Sequence, residues 1–476
     1  MKVNSIKKNL KDKILHSLFP IEGVISVTLV GSFIDRDGLV GISDVDTIVI
    51  VDSLDEKLFK KCNEAVNKIN PDECGLKGFQ LKINNSFGPL KFDDASTVVI
   101  HLMVYDISGH QRHVIASPFT CLDWERSEMY LGKSLKSIFP VGVLQPRDFL
   151  EGRRGLQNYL EDLHQGIISI RNYQFLHGLP TEVINIYPLD QRHKGEYAYH
   201  IIRNLLLNLF KLHSKSNSKI SDHILVQQTS KIGMSLCTIH EERFIELSLL
   251  KNNRSKSYPD WVMGWISEFL EDFQFAFTRF WDQAETIYFM RHAETDSNDG
   301  SYLGQGRDPS ILKQELAPLV FKPQVTYSSP AKRCLETIKR NQPNQPVVIE
   351  DQLKEINYGS AEGLTYKGLS ENYPEIVKAW EKGEDPKFPD GENSEDVLNR
   401  LQFFINGLKP KRNRVSLVMT HNVVLRCLIG KSHSIPFKNW YRLSIPYAEP
   451  LEFKWIHGEL YPNIPRNILQ NIFYRL

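Results

Sequence analysis

The sequence predicts a multidomain α/β protein, on three observations. Between Val24 and about Leu150, strand-like apolar runs are separated by turns and one helical stretch. From Glu151 to Gln283 the apolar period becomes helical, and from Glu285 onward strands and helices alternate again. A chain of 476 residues has room for roughly three domains of about 150 residues each. The expected boundaries are 1–150, 151–283 and 284–476.

In the first segment VISVTLV and DTIVIV read as strands, Asp55 to Lys68 as a mixed helix and STVVIHLMVY (96–105) as a further strand. In the second, EYAYHIIRNLLLNLFKL (196–212) and WVMGWISEFLEDFQFAFTRFW (261–281) are expected helices. Ile266, Phe269, Leu270, Phe273, Phe277 and Phe280 recur there at helical spacing, the signature of a packing face. The polar runs SKSNSK (214–219) and KNNRSKSYPD (251–260) mark loops. In the third, TIYFM, QVTYSS, PVVIE and RVSLVM read as strands, each followed by loop or helix.

A hydrophobic fraction of 41% and a formal charge of +1 fit a soluble globular chain and argue against a dedicated nucleic-acid or membrane surface. Cys62, Cys74, Cys121, Cys237, Cys334 and Cys427 form no CxxC pair, so reduced thiols, no zinc site and no disulfides are expected. The lysine-rich residues 1–18 lead into no uninterrupted apolar stretch, and no apolar run reaches 18 residues. The expectation is a cytoplasmic protein, neither exported nor membrane-spanning.

The stretch LVGSFIDRDGLVGISDVDTIVIV (29–51) ends a strand in Gly31-Ser32 and then places Asp44-Val45-Asp46 at the start of the next. Residues two apart on a strand share a side, so Asp44 and Asp46 project together while Val45 faces the core. Two adjacent carboxylates repel unless a cation lies between them, and hard oxygen donors suit Mg²⁺, or Mn²⁺, bound to substrate phosphates. Gly31 and Ser32 offer backbone N–H groups and a hydroxyl to those phosphates.

This constellation resembles the DNA polymerase β-like nucleotidyltransferase superfamily over residues 20–110. The resemblance implies a small mixed-sheet domain, an NTP and a small-molecule acceptor as partners, and a third ligand from a later strand. His101 and Asp106 in STVVIHLMVYD are the candidates for that place. Strand alternation puts them on opposite faces, and His101 there would mean a changed base or metal ligand.

At RHAETDSN (291–298) a buried strand stops at Arg291-His292. A neutral imidazole at the carboxyl end of a parallel strand is a natural nucleophile towards phosphorus. Arginines suit the equatorial oxygens of a transferring phosphoryl group, and Arg291 and Arg333, in YSSPAKRCLET, can supply them. His421 follows the strand RVSLVM, where it can donate to phosphoryl oxygens. Glu355, in LKEINYGSAEG, can serve the leaving group as an acid.

These four stretches, with MTHN as the last, resemble the histidine phosphatase superfamily, the phosphoglycerate mutase-like fold, over residues 285–476. The resemblance implies a three-layer α/β/α domain acting on a phosphomonoester without a cofactor. His292 would be the phosphorylated nucleophile, Arg291, Arg333 and His421 the phosphate pocket, and Glu355 the proton donor. Asn298, and Glu392 in PDGENSEDV, would contact substrate.

Two positions depart from the family pattern, where glycine is usual: Ala293 and Asn422. Each narrows the pocket without removing a charged group. The loop EKGEDPKFPDGENSED (381–396) reads either as a cover for the site or as a solvated surface loop.

The expected function is bifunctional: Mg²⁺-dependent nucleotidyl transfer to a small acceptor, and phosphomonoester hydrolysis through phosphohistidine. An alternative is a phosphatase or phosphomutase whose N-terminal domain only binds nucleotide and regulates.

Overall fold

The computed structural model describes residues 2–476 except 36–43, 88–96, 154–160, 232–237 and positions 164, 190, 215, 253, 254, 256, 283, 298, 410 and 457. The chain divides into two compact units. One comprises Met1–Leu144 with Asp148–Phe277, the other Gln145–Arg147 with Thr278–Leu476. The segments read from sequence as an α/β domain and a helical domain thus lie in one unit.

The first unit is built on a five-stranded mixed sheet of order β3-β4-β2-β1-β5. Its strands are β1 (Val24–Val30), β2 (Val45–Val51), β3 (Gln80–Asn84), β4 (Thr97–Asp106) and β5 (Tyr130–Gly132). β2 runs antiparallel to β1 and parallel to β4. One face, with Val27, Leu29, Val45, Val49, Ile100, Leu102 and Val104, packs against Leu10, Ile14 and Leu18 of the helix Lys2–Leu18 and Cys62 and Val66 of the helix Glu56–Asn67. The opposite face therefore carries Asp46 and His101, which the parallel register sets side by side.

Helices Gln191–Ser214 and Trp261–Asp282 form where the sequence placed them. Ile266, Phe269, Leu270, Phe273 and Phe277 are buried, as their spacing predicts; the side chain of Phe280 lies outside the described residues. The expectation of a helical run throughout 151–283 needs correction at 167–188, which folds as an antiparallel hairpin of β6 (Ile167–Leu176) and β7 (Leu179–Pro188). The signal was present: a two-residue turn, His177-Gly178, with both φ positive at 52° and 81°. Such turns match the twist of the flanking strands.

The second unit has a six-stranded sheet of order β10-β9-β11-β8-β12-β13. The strands are β8 (Glu285–Arg291), β9 (Val325–Ser328), β10 (Val347–Ile349), β11 (Val415–Thr420), β12 (Pro450–Ile456) and β13 (Glu459–Pro462). β10, β9, β11 and β8 are parallel, while β12 and β13 add antiparallel pairings. Met290, Leu417 and Met419 pack one face against Cys334 and Ile338 of the helix Lys332–Asn341. On the other face Tyr327 meets Phe404 of the helix Ser394–Gly407, ring centroids 5.4 Å apart. Helices thus cover both faces of the parallel centre, whose strands are largely buried. Among the described residues no helix is long and apolar enough to cross a membrane.

Candidate active sites

Parallel pairing decides where the chemistry of the second unit gathers. Thr420 registers with Arg291 and Met419 with Ser328, so the chain leaves β8, β11 and β9 at one edge with His292, His421 and Ser329 side by side. The rings of His292 and His421 lie 5.3 Å apart between centroids.

His292 is buried, and its Nδ1 lies 2.7 Å from the Ala293 carbonyl oxygen. An oxygen of that kind only accepts, so Nδ1 carries the proton and Nε2 keeps its lone pair. Burial pushes the pKa down to about 3, with Arg333 and Arg291 adding to the effect against the pull of the carbonyl. The imidazole is therefore neutral throughout the physiological range.

Arg333 is almost fully buried. Its Nε donates to His421 Nδ1 (3.3 Å), Nη1 to Arg307 O and Asp308 Oδ1 (both 3.2 Å) and Nη2 to Gly304 O (3.0 Å). Arg291 lies with its guanidinium 3.6 Å from the Tyr447 ring centroid, and its Nη1 donates to Ile445 O. Its Nε is buried and has no partner among the described residues, a donor awaiting an acceptor such as an anion.

His421, expected to donate to phosphoryl oxygens, lies against Arg333, Ser329 and Cys334. Its Nδ1 accepts from Arg333 and its Nε2 faces Ser329 Oγ at 2.8 Å, with Cys334 Sγ at 3.5 Å. Burial first, then Arg333, depress its pKa well below the ordinary histidine value. In this geometry His421 orients the Arg333 guanidinium.

Glu355 is buried, its Oε1 accepting from the backbone N–H groups of Ile356 (3.0 Å) and Val423 (3.2 Å). Burial raises its pKa more than those N–H groups, Arg333 and Arg291 lower it. A carboxyl held towards its protonated form beside two arginines is equipped to give a proton.

Glu392 is held by Arg400 and by the backbone of Asn357. Its carboxylate receives Arg400 Nε (2.9 Å) and Nη2 (3.1 Å) and the Asn357 N–H (2.9 Å), while Arg400 also donates to the carbonyls of Gln352 and Glu355. Arg400→Leu should therefore lower thermal stability by about 1–3 kcal/mol, because Glu392 loses its partner. It should also lower kcat as the Glu355 segment loosens. Arg400→Lys should recover little of either, lacking the planar fork. Thermal denaturation and initial rates check both.

Asn298 lies outside the described residues. Ala293 donates its N–H to Thr337 Oγ1 at 2.9 Å, and Asn422 begins the helix Asn422–Ser432 with its Oδ1 buried and unpartnered among the described residues. The loop 381–396 is anchored rather than loose: Phe388 is buried against Tyr302, Tyr358 and Trp380. Gly359, at φ 52°, lets the Pro389 carbonyl approach where a Cβ would lie 1.9 Å from it.

Ser329 and Thr337, both within YSSPAKRCLET, meet His421 and the Ala293 N–H, contacts that the motif itself does not announce. Tyr447 comes from a distant loop and carries no local signal.

In the first unit Asp44, Asp46 and His101 offer ligand atoms all within 4.8 Å of one another. His101 Nδ1 lies 2.8 Å from Asp46 Oδ1, and Nε2 donates to Ser86 O. Asp106 is elsewhere: five residues along β4, it caps the helix Ile107–Ala116 by accepting from Gly109 N–H. Of the two candidates for the third position, the strand delivers His101. Gly31 sits at φ 74°, and a Cβ there would fall 2.2 Å from Asp46 Oδ2. Only glycine lets the turn and the carboxylate occupy that space. A cavity of about 510 Å³ opens beside Gly31 and Ser32, with Arg126, Arg203, Lys219 and Asn204 in its lining.

Among known proteins, the histidine phosphatase superfamily (branch 1) matches residues 287–462. Phosphoserine phosphatase 1 of Hydrogenobacter thermophilus is 30% identical over 156 residues, covering 30% of this chain and 73% of that protein. The 6-phosphofructo-2-kinase/fructose-2,6-bisphosphatase of Caenorhabditis elegans is 28% identical over 172 residues, 34% of this chain; the chain spans 37% of the length of that relative. A solved structure, the alpha-ribazole phosphatase of Shigella flexneri, aligns over 38% of this chain and 96% of its own at 17% identity and a TM-score of 0.34. The matched segment holds His292, Arg333, Glu355 and His421, and through it the chain belongs to the histidine phosphatase superfamily.

Proposed function

We propose that the chain is a bifunctional enzyme, hydrolysing a small phosphomonoester in its second unit and transferring a nucleotidyl group to a small acceptor in its first. The observation that carries the phosphatase half is the His292 tautomer, with Nδ1–H tied to Ala293 O and Nε2 left as a lone pair beside two arginines. Nε2 attacks phosphorus, and the P–O bond to the leaving alcohol breaks as Glu355 delivers its proton to that oxygen. Water then attacks the phosphohistidine, its proton returning to the Glu355 carboxylate, and orthophosphate leaves with His292 restored. Arg291 and Arg333 offset the charge on the equatorial oxygens. The printed names of two relatives, a phosphoserine phosphatase and a fructose-2,6-bisphosphatase, support a small phosphorylated metabolite as substrate.

The role of Glu355 has its own test. Glu355→Gln should lower kcat/KM, which reports the phosphorylation step alone, about 10²- to 10⁴-fold for an alkyl phosphate, whose alkoxide needs the proton, and far less for p-nitrophenyl phosphate, whose leaving group does not. Equal losses on both substrates would remove Glu355 as the acid.

For the nucleotidyltransferase half, Asp44 and Asp46 would hold the cation, and the close approach of their ligand atoms fits one ion. When bound, the ion would align the attacking oxygen and neutralise charge on the α-phosphate. The cavity beside Gly31 and Ser32, with arginines and a lysine in its wall, supports a phosphate-bearing ligand. His101 in the third position favours a second reading, in which this unit binds nucleotide and regulates without transfer. Incubating the protein with each NTP, Mg²⁺ or Mn²⁺ and a metabolite extract, with mass spectrometry of what is consumed, separates the two. Tight nucleotide binding with no transfer product selects the second.

A further inference from the structure

We propose that His101 is a metal ligand through Nδ1, so that the Asp44–Asp46–His101 cluster takes a first-row transition dication such as Mn²⁺ in preference to Mg²⁺. This rests on the reading of the first unit as cation-bearing and deepens it.

Three observations carry the proposal. The first is register: β2 and β4 pair in parallel with Asp46 opposite His101, so carboxylate and ring leave the sheet on one face as neighbours. The second is the orientation of the ring. Nε2 can only donate to the Ser86 carbonyl, which leaves Nδ1 as the nitrogen able to offer a lone pair, and Nδ1 is the atom facing Asp46 Oδ1. A backbone carbonyl fixing the far nitrogen is the usual support of a ligating histidine. The third is burial: the side chain is only 9% exposed, so its direction is set by packing.

Asn84, registered beside His101 on β3 and 4% exposed, keeps its Nδ2 without a partner among the described residues. It is a donor suited to an anionic group carried by the cation. The chemistry of the donor set then decides the ion. Three carboxylates suit Mg²⁺, a hard ion that keeps its waters, whereas an imidazole replacing one carboxylate favours metals that bind nitrogen.

The test uses the full chain with one equivalent of Mn²⁺ and no nucleotide. Pulsed electron paramagnetic resonance should detect ¹⁴N modulation on the bound ion, and growth on ¹⁵N-histidine should convert it to the ¹⁵N pattern without any substitution. Asp44→Asn should remove the bound-ion signal. His101→Asp should retain a bound cation, lose the nitrogen modulation and show a lower ratio of Mn²⁺ to Mg²⁺ affinity by equilibrium dialysis. Mn²⁺ bound with oxygen coordination only, nitrogen modulation that survives His101→Asp, or no Mn²⁺ binding would each overturn the proposal. Nitrogen coordination without transfer to any acceptor would leave this site standing and remove the nucleotidyltransferase reading. Metal-dependent transfer through an all-oxygen site would do the reverse.

Discussion

His292→Ala should lower phosphomonoester hydrolysis roughly 10⁴- to 10⁶-fold, the scale of loss when a catalytic nucleophile is deleted. The residual rate would reflect binding and the two arginines. Initial rates on p-nitrophenyl phosphate, with EDTA present throughout, measure this directly, and turnover that survives the substitution would end the assignment.

The wild-type pH profile adds a second signature. With its pKa pushed down to about 3, His292 stays unprotonated far into acid, so no loss of kcat/KM should appear near 6.5 where an exposed histidine would titrate. With an alkyl phosphate, whose leaving group needs the proton, kcat/KM should instead fall as pH rises through the raised pKa of Glu355, when the proton donor is lost.

The same shifts act on stability. Below the ordinary histidine value of 6.5 the unfolded chain binds a proton that folded His292 refuses, so this group's contribution is whole above 6.5 and is lost as pH falls towards 3. Glu355 behaves oppositely: its raised folded pKa means that its contribution is whole below the ordinary carboxyl value of 4.5 and is lost as pH rises through the folded pKa.

Asp44→Asn combined with Asp46→Asn should abolish NTP-dependent transfer while leaving p-nitrophenyl phosphate hydrolysis unchanged. Losing a cation's stabilisation of developing charge, several kcal/mol, corresponds to roughly a 10³-fold drop or more. Asparagine is the better probe than alanine because Asp46 fills the space against Gly31 and lies 2.8 Å from His101 Nδ1, and a smaller residue would open that contact. Thermal denaturation of the double variant checks that the fold survives. Transfer undiminished in a folded double variant would remove these carboxylates from the reaction.

Much of this was legible locally. The strands ending in Arg291 and Thr420 announce themselves because an apolar run followed by a polar side chain is a local pattern. The Phe269–Phe273–Phe277 stripe is legible for the same reason. The sequence also narrowed the third position to His101 or Asp106, but alternation alone left both open. The choice needed the register of β4 against β2, a pairing between residues 55 apart.

Glu392 has a partner that its motif does not announce. Its stretch matched a family pattern, yet its carboxylate closes a bidentate pair with Arg400, eight residues on, that holds the Glu355 segment. The hairpin 167–188 is hard to see in the sequence because a neighbouring segment carries helical periodicity, and a two-residue turn is a small signal beside it.

By itself, then, the sequence determined the strands that carry the candidate sites, the long apolar-striped helices and the identities of the charged groups, since these follow from periodicity and side-chain chemistry within a few residues. The tertiary structure alone decided which nitrogen of His292 bears the proton, that His421 turns to Arg333 and Ser329, that Tyr447 stacks on Arg291 and that His101 rather than Asp106 joins Asp44 and Asp46. Each of these depends on an acceptor or a ring delivered from a distant segment, and hydrogen bonds between such segments leave no trace in local spacing.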